Sequence, residues 1–448
     1  MNFNTEVFKA SMHVIKLLND AGHKAFYAGG SVRDFVLNKT PKDFDIATSA
    51  LPDEVSRLFP KTIEVGKAFG VVIVIIEDFQ FEVTTFRSEG NYRDGRHPEW
   101  IKFCTHQEDI SRRDFTINGM LYDPINNNLI DLVGGKQDIQ NRVVRSIGDP
   151  MKRFEEDKLR MMRAIRFSCQ LEFSIDNKTL EAVKILSDKI IEVSRERIRD
   201  ELKHILVSNK RSLGIKLLID SGLMQYIIPE ICRMSGVEQP QEFHPEGDVL
   251  VHTLIALDIL KRPSFELAMG VMLHDVGKPN TSEFFDGRIR FNGHEYVGEQ
   301  IADKICRDLK FSREESDKIK FLVANHMKFK DVSNMRESTL RRFMSEQWFE
   351  DLTKLCYADV MASHKDLSPL EFIEKASEKF KQEDLMPKPL LRGQDLLDLG
   401  VSPGPVFKEI LTKVEDLQLE RKISEKDQAI KYVKDNWKEL FSGLKNNN

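Results

Sequence analysis

The residues with chemistry to offer begin at Asp43-Phe44-Asp45. Side chains alternate along an extended chain, so both carboxylates point to one side and Phe44 to the other. Two neighbouring carboxylates repel unless a cation lies between them. Mg²⁺ takes oxygen ligands and shares them with substrate phosphates, so Mg²⁺ held by Asp43 and Asp45 against a triphosphate suits these residue types. A pair of such ions activates an attacking 3′-hydroxyl and stabilises the departing pyrophosphate. Upstream, Gly29-Gly30 follows the apolar run 25–28, and Ser31-Val32-Arg33-Asp34 comes next. Glycines let backbone N–H groups approach phosphate oxygens closely. Arg33 can grip the same oxygens as a fork. The spacing predicts a nucleoside triphosphate site, cleaved between the α and β phosphates. The same residues also allow a plain turn followed by a surface strand with two solvated aspartates.

These residues need a scaffold. Residues 1–23 read as an amphipathic helix with Val7, Met12, Ile15, Leu17 and Leu18 in its stripe. Strands are predicted at 25–28, 43–47, 70–76, 81–86 and 101–105. The unbroken apolar run 71–76 predicts a strand buried on both faces. Glu82 lies between Phe81 and Val83. It is the third carboxylate of the metal site if its strand neighbours Asp43–Asp45, and a solvent-facing residue otherwise. The polar, Arg-rich stretch 88–100 is a loop, either a connector or a mobile lid. Arg112-Arg113-Asp114-Phe115-Thr116-Ile117-Asn118 is read as starting a helix. Arg113 and Asp114 there either cap the helix or bind phosphate and ribose hydroxyls. Asp131 to Gly135 closes the first domain, predicted as 1–148.

From about 150 strand signals vanish and helical periodicity takes over. One helix is predicted over 149–171, with Pro150 at its first position. Asp157, Arg160, Arg163 and Arg166 recur along it every three residues, within about half the circumference. Glu156–Arg160 pairing on a solvated face is one reading. The other is base recognition. Cytosine and adenine each present an amine beside an unprotonated ring nitrogen, which an Asp–Arg couple matches. Uracil and guanine present the reverse pattern and leave both side chains unpaired, which rejects them strongly. Asp157 with Arg160 then selects C and A without a template. Residues 151–216 hold 16 Lys/Arg against 11 Asp/Glu, a local basic excess that suits a phosphate backbone or a mixed solvated surface.

Composition bounds the rest. At 448 residues the chain holds about three domains. Hydrophobic content of 41% and charged content of 31% are those of an ordinary globular chain. A net charge of −5 gives no whole-molecule basic field, so RNA must be met by a local patch. The five cysteines lie at least fifty residues apart without a C-x-x-C, which argues against zinc ribbons and disulfide frameworks. The N-terminus shows no signal pattern, and no apolar run approaches a membrane span, so the expected location is cytoplasmic.

In order, GGSVRD, DFD, EVTTFR, the Arg-rich loop, RRDFTIN, DLVGG, EDKLRMMRAIRF and RIRDEL resemble the class II nucleotidyltransferases, the bacterial tRNA CCA-adding enzymes and their poly(A) polymerase relatives. The resemblance covers about 200 residues. It implies an α+β protein: a polymerase-β-like head with a mixed β-sheet, an all-α neck (149–225), a helical body (226–375) and a helical tail (376–448) gripping the tRNA acceptor arm. It makes Asp43 and Asp45 the catalytic Mg²⁺ ligands, which Glu82 joins on the condition given above. It gives phosphate binding to Gly30 and Arg33, nucleotide contact to Arg113, Arg163 and Arg166, and base reading to Asp157 and Arg160, while Gly29 and Asp114 enter the nucleotide site from the residues themselves. The implied substrates are ATP, CTP and tRNA, with Mg²⁺. The loop at 88–100 points to an enzyme that adds the terminal A. Gly66-Lys67-Ala68-Phe69-Gly70 stands where poly(A) polymerases carry a basic variant, which ranks that activity lower.

A second constellation follows. His252, His274-Asp275, His294, His326 and Asp359 are mixed ligands that suit Mg²⁺, Mn²⁺, Ni²⁺ or a similar ion rather than a closed structural zinc. Leu273-His274-Asp275-Val276-Gly277-Lys278-Pro279 resembles the HD phosphohydrolases, and His244-Pro245-Glu246-Gly247-Asp248 resembles the lead-in to such a fused domain. The resemblance assigns His252, His274, Asp275 and Asp359 to one metal, with His294 and His326 nearby or on a second. Its implied chemistry is hydrolysis of cyclic or terminal phosphates on RNA.

Overall fold

The computed structural model describes residues 5–41, 43–66, 69–89, 101–242, 244–380 and 385–437. The chain folds as two compact units. The first comprises 1–237, 261–268 and 303–313, and the second 238–260, 269–302 and 314–448.

The first unit opens with α1 (Glu6–Asp20), capped by Thr5 and burying Ala10, Ser11, Val14, Ile15 and Leu18. Then come β1 (Ala25–Ala28), α2 (Gly30–Val36), β2 (Ile46–Thr48), α3 (Pro52–Leu58), β3 (Thr62–Gly66), β4 (Val71–Ile76) and β5 (Phe79–Thr85). A ribbon of β6 (Arg87–Glu89) and β7 (Ile101–Phe103) precedes α4 (His106–Ser111), and β8 (Leu121–Asp123), β9 (Asn128–Ile130) and α5 (Gly135–Gln140) follow. Seven strands form one sheet in the order β3-β4-β5-β2-β1-β8-β9. Its neighbours are antiparallel except β2 and β5, which run parallel with Ile46 opposite Val83. This is the mixed sheet the sequence implies.

Three local readings change. Strand β2 begins at Ile46, so Asp43 and Asp45 precede it. Strand β4 is not buried on both faces: Val72 and Val74 are enclosed while Val71, Ile73 and Ile75 are half-buried. It lies between antiparallel partners, with α1 and α3 packed against it, and such sheets cover one face and wet the other. Arg112 ends a helix rather than starting one. Thr105 and Glu108 form a reciprocal cap that starts α4 six residues earlier.

Past the head, β10 (Val143–Val144) pairs with β11 (Ser174–Ile175) across α6 (Pro150–Glu156) and α7 (Leu159–Leu171). The helix predicted over 149–171 is therefore two. Asp157, at φ −136° and ψ 104°, breaks it, and its carboxylate accepts from Leu159 N at 3.0 Å to restart the next turn. Helices α8 (Asn177–Ile185) and α9 (Arg195–Leu206) continue the unit, α9 packing on α7.

The second unit is helical apart from a hairpin of β12 (Glu283–Phe285) and β13 (Arg288–Arg290). Strand signals thus do not vanish after 150. Asp286 and Gly287, both at positive φ, form the two-residue turn that a D-G pair favours. A small core of Leu391, Leu396, Val401, Ile410, Val414, Ala429 and Val433 closes its C-terminal part. No helix among the described residues is long and apolar enough to cross a membrane.

Candidate functional site

Phe44 explains how the aspartates are aimed. Its ring is buried against Tyr27 (5.4 Å between centroids), Phe8 (5.8 Å) and Phe35 (6.1 Å), while Asp43 and Asp45 are exposed on the other side. Ala28 N donates to Asp45 O at 3.0 Å, tying this segment to β1. Because β2 and β5 are parallel with Ile46 beside Val83, Asp45 stands next to Glu82. Although part of Asp45 reaches solvent, desolvation of its carboxyl by the cleft walls, then the Glu82 charge, pushes it up to about 6. Arg113 opposes this rise and Asp43 adds to it. Crowded carboxylates of this kind fit a divalent cation, which supplies charge neutralisation when bound. All three predicted carboxylates are thus brought together electrostatically.

The surrounding donors converge on the same place. Gly29 sits at φ +65°, and a Cβ there would lie 3.5 Å from Asp45 Oδ2 and 3.7 Å from Arg113 Nη1. Gly30 is the first residue of α2. Arg33 is fixed by Asp34 (3.0 and 3.1 Å) and by Asn118 Oδ1 (2.9 Å). Buried Asp109 holds Arg113 at 3.0 Å and Arg112 at 2.8 Å. Asp114 accepts from Arg163 Nε at 2.9 Å. Burial would raise its carboxyl, but the Arg163 charge wins and holds it at about 2. Gly29, Gly30, Arg33, Asp45, Arg113, Asp114 and Arg163, with Glu82, Asp157, Arg160 and Arg166, line a cleft of about 550 Å³ in the first unit. Asp43 lies beside the cleft rather than in its lining.

Neck arginines are more tethered than a free basic row. Arg160 is 7% exposed. It donates to Glu156 Oε2 and Arg153 O at 2.9 Å, so the Glu156–Arg160 pairing forms. Asp157 meets Arg197 at 3.2 Å. Arg166 donates to Glu201 at 2.7 Å and stacks over Phe167 at 4.2 Å. Arg197 and Glu201 were not singled out from the sequence, though both lie in the α9 stretch whose basic character was noted. The loop 88–100 lies outside the described residues beyond Glu89.

In the second unit the histidines and aspartates also gather. His274, His294 and His326 each donate Nδ1–H to a carbonyl three residues upstream (Val271, Phe291 and Val323, at 2.7–2.8 Å). That bond leaves each Nε2 as a bare acceptor. His294 Nε2 and His326 Nε2 face each other at 3.1 Å, an arrangement that repels unless a cation or proton lies between them. Asp275 reaches both groups: Oδ2 is 3.2 Å from His274 Nε2, and Oδ1 is 3.4 Å from His294 Nε2. Asp359 Oδ1 lies 3.0 Å from His252 Nε2, whose Nδ1 meets Glu246 at 2.6 Å. Buried His252 Nε2, His274 Nε2 and Asp275 Oδ2 make no well-directed hydrogen bond, and their approaches to Asp359, to one another and to Lys278 are ion-pair contacts only. Such orphaned, converging ligand atoms fit a divalent ion. Burial pushes His326 down to about 3, so it is neutral and ligand-ready at pH 7. Burial also opposes charge on His252, but the Asp359 and Glu246 contacts outweigh it and raise it to about 9. Glu246 and Lys278, the latter 2.7 Å from Asp275, complete the cluster.

A mixed sheet that crowds three carboxylates under a glycine turn and an arginine fence defines a nucleotidyltransferase head. Comparison with known proteins agrees. Residues 25–145 match the poly A polymerase head domain, 172–234 the probable RNA and SrmB-binding site of polymerase A, and 295–433 a putative tRNA nucleotidyltransferase domain 2. The CCA-adding enzyme of Lactobacillus helveticus is 38% identical over 267 residues, 59% of this chain and 66% of that one. That of a Geobacillus species is 44% identical over 223 residues, 50% and 55% respectively. The alignments thus span about half to two thirds of these relatives' length. A solved CCA-adding enzyme of Bacillus stearothermophilus in complex with CTP superposes with a TM-score of 0.73 at 25% identity, covering 95% of each chain. A Thermotoga maritima CCA-adding enzyme complexed with tRNA shares the fold, with a TM-score of 0.59 at 18% identity over 99% of this chain and 96% of that one. Three matched segments and a shared fold make the chain similar to the class II tRNA nucleotidyltransferases, the CCA-adding enzymes and their poly(A) polymerase relatives.

Proposed function

We propose that the chain is a template-independent nucleotidyltransferase that extends the 3′ end of tRNA with CCA, or with its terminal A, from CTP and ATP. The observation that carries this reading is the convergence of Asp45, Glu82 and nearby Asp43 with Arg33 and Arg113 on one cleft. Asp43 and Asp45, with Glu82 beside them, would hold Mg²⁺, which supplies activation of the 3′-hydroxyl and charge neutralisation at the pyrophosphate. Arg33 and Arg113, held by Asn118 and Asp109, point fixed positive charge at the triphosphate. The Gly29–Gly30 turn lets the main chain come close to it. Asp157 keeps lone pairs beyond those used by Leu159 and Arg197, and these can accept the exocyclic amine of C or A. Arg160, steadied by Glu156, is the matching donor, and Arg163 and Arg166 hold the nucleotide against the neck. The division into head (1–148), neck (149–225), body (226–375) and tail (376–448) is part of this proposal, as is a cytoplasmic location.

One assay tests it. tRNA ending at the discriminator base, at C or at CC is incubated with labelled CTP or ATP. Stepwise C, C and A addition is expected. Incorporation of A alone, on the CC-ended substrate only, selects an A-adder. Long A tracts on unrelated RNA select a poly(A) polymerase, and no incorporation refutes the transferase reading. Asp157→Ala should lose C/A discrimination more than triphosphate binding.

The His/Asp cluster favours a second activity. His252, His274, Asp275 and Asp359 would hold one divalent ion, with His294 and His326 beside it or on a second one. Such ions supply an activated water for phosphoester hydrolysis, on a cyclic or terminal phosphate of RNA. Phosphate release that depends on Mn²⁺ or Ni²⁺ and is lost in Asp275→Asn tests this reading.

A further inference from the structure

A cavity of about 1150 Å³ runs in the second unit from Asp275, His294, His326 and Asp359 to the β12–β13 hairpin. That is at or above the upper end of small-ligand pockets, about 300–1,000 Å³, and far more than a phosphate group needs. The hairpin wall is built from Phe284, Arg288, Ile289 and Arg290. Phe284 is 78% exposed although it is a large aromatic side chain. Its cross-strand partner is Ile289, so these two share one face of the ribbon. Phe285, 60% exposed, lies on the other face with Arg288 opposite it, and the Arg290 guanidinium sits 4.9 Å from its ring centre. Position 284 leaves most of its surface in solvent, so packing among the described residues gives it little reason to be aromatic.

We propose that this hairpin is a nucleotide subsite: Phe284 stacks the base of the unpaired 3′-terminal nucleotide of an RNA, and Arg288 and Arg290 hold its phosphates. The inference rests on the phosphohydrolase reading of the His/Asp cluster, and it adds a base-binding subsite to that reading. Three observations favour RNA over a protein partner. The aromatic face opens into the same cavity as the ligand cluster, so an occupant extends from one to the other. Of the hairpin's charged residues only Arg288 and Arg290 line the cavity, with Glu283 and Asp286 outside the lining, whereas Glu242, Asp366 and Glu371 stand elsewhere on its wall. A phosphate chain is therefore drawn along the hairpin side. Phe284 lines the same cavity as Arg288 and Arg290 although the pleat sends their side chains to the other face of the ribbon, and an exposed ring with guanidinium groups within reach is a surface on which single-stranded bases stack.

Phe284→Trp turns the subsite into its own reporter, against a background of three other tryptophans. Because position 284 is exposed, the substitution leaves packing unchanged. A short single-stranded oligoribonucleotide with a 3′-phosphate is titrated into the full-length variant, with the parent chain as control. Saturable quenching beyond that of the parent is expected. An oligonucleotide with an abasic last residue should bind roughly tenfold more weakly in this signal. Adding Arg288→Gln should weaken the response severalfold. Absence of extra quenching, or equal quenching by the abasic oligonucleotide, overturns the proposal. Mn²⁺ uptake in an Asp45→Ala background, which silences the head site, followed by electron paramagnetic resonance, separates the two readings. Quenching without Mn²⁺ binding leaves the subsite standing and removes the metal centre; Mn²⁺ binding without quenching removes the subsite alone.

Discussion

The raised carboxyl of Asp45 makes cation binding in the head a titration. A carboxylate must lose its proton to hold a metal, so proton and cation compete. With a pKa of about 6, Asp45 is about nine-tenths ionised at pH 7 and one-tenth ionised at pH 5. Apparent Mn²⁺ affinity should fall about tenfold across that interval. An aspartate at its ordinary value near 4 would lose almost nothing over the same range. The cause can be removed: after burial, the Glu82 charge is the largest contribution to the rise. Glu82→Gln should move the midpoint down from about 6 toward the usual aspartate range, although it also removes a prospective ligand. The stability of the metal-free protein follows the opposite sign from a salt-bridged aspartate. The folded state holds the proton more tightly than the unfolded chain, so stability falls as pH rises from about 4 to about 6. The assay is Mn²⁺ binding by electron paramagnetic resonance at pH 5, 6 and 7, with saturating CTP. A His274→Ala background silences the second cluster. Flat affinity between pH 7 and pH 5, or an unmoved midpoint in Glu82→Gln, refutes the reasoning.

Further outcomes follow from other parts of the molecule. Phe44→Ala should destabilise the protein by about 3–5 kcal/mol, read by denaturant unfolding, since it empties a buried aromatic cluster. It should also weaken CTP binding, because the aspartates lose their anchor. In Gly277→Ala the new Cβ would lie 2.1 Å from His294 O. Asp275 and His294 must then separate, and Mn²⁺ uptake at the second cluster should vanish while CTP binding in the head persists. His252, raised to about 9, lends the metal-free protein stability that is full below about pH 6.5 and lost as pH climbs through 9. Melting temperature in a chelator should fall over that window, and Mn²⁺ should abolish the slope by displacing the proton.

Much of this arrangement was legible in the residues, for identifiable reasons. Asp-Phe-Asp carries its own geometry, because a buried ring between two carboxylates permits only one orientation. Glu82 was legible only conditionally: its neighbour on the sheet is set by a parallel pairing of β2 with β5, which no local pattern encodes. The break at Asp157 was missed because helical periodicity runs on through it. Only the Asp side chain, which competes for the backbone N–H two residues later, marks the interruption. The start of α4 was missed although Thr105 and Glu108 spell a capping pair, since the arginines after it drew the boundary toward themselves. The hairpin at 283–290 was hidden by its helical surroundings, though Asp286-Gly287 is a strong turn signal. Strands β3, β8 and β9 were not predicted at all, because pairing within the sheet rather than local pattern makes them strands.

His274, His294 and His326 share one device: each ring is steered by the peptide carbonyl three residues behind it. Because the steering atom is main chain, no single side-chain replacement at 271, 291 or 323 can delete it. The cluster is consequently tolerant of drift in its surroundings, yet vulnerable to anything that bends those three turns. An inserted residue, a proline or a displaced helix start would release the imidazoles together with the backbone that aims them.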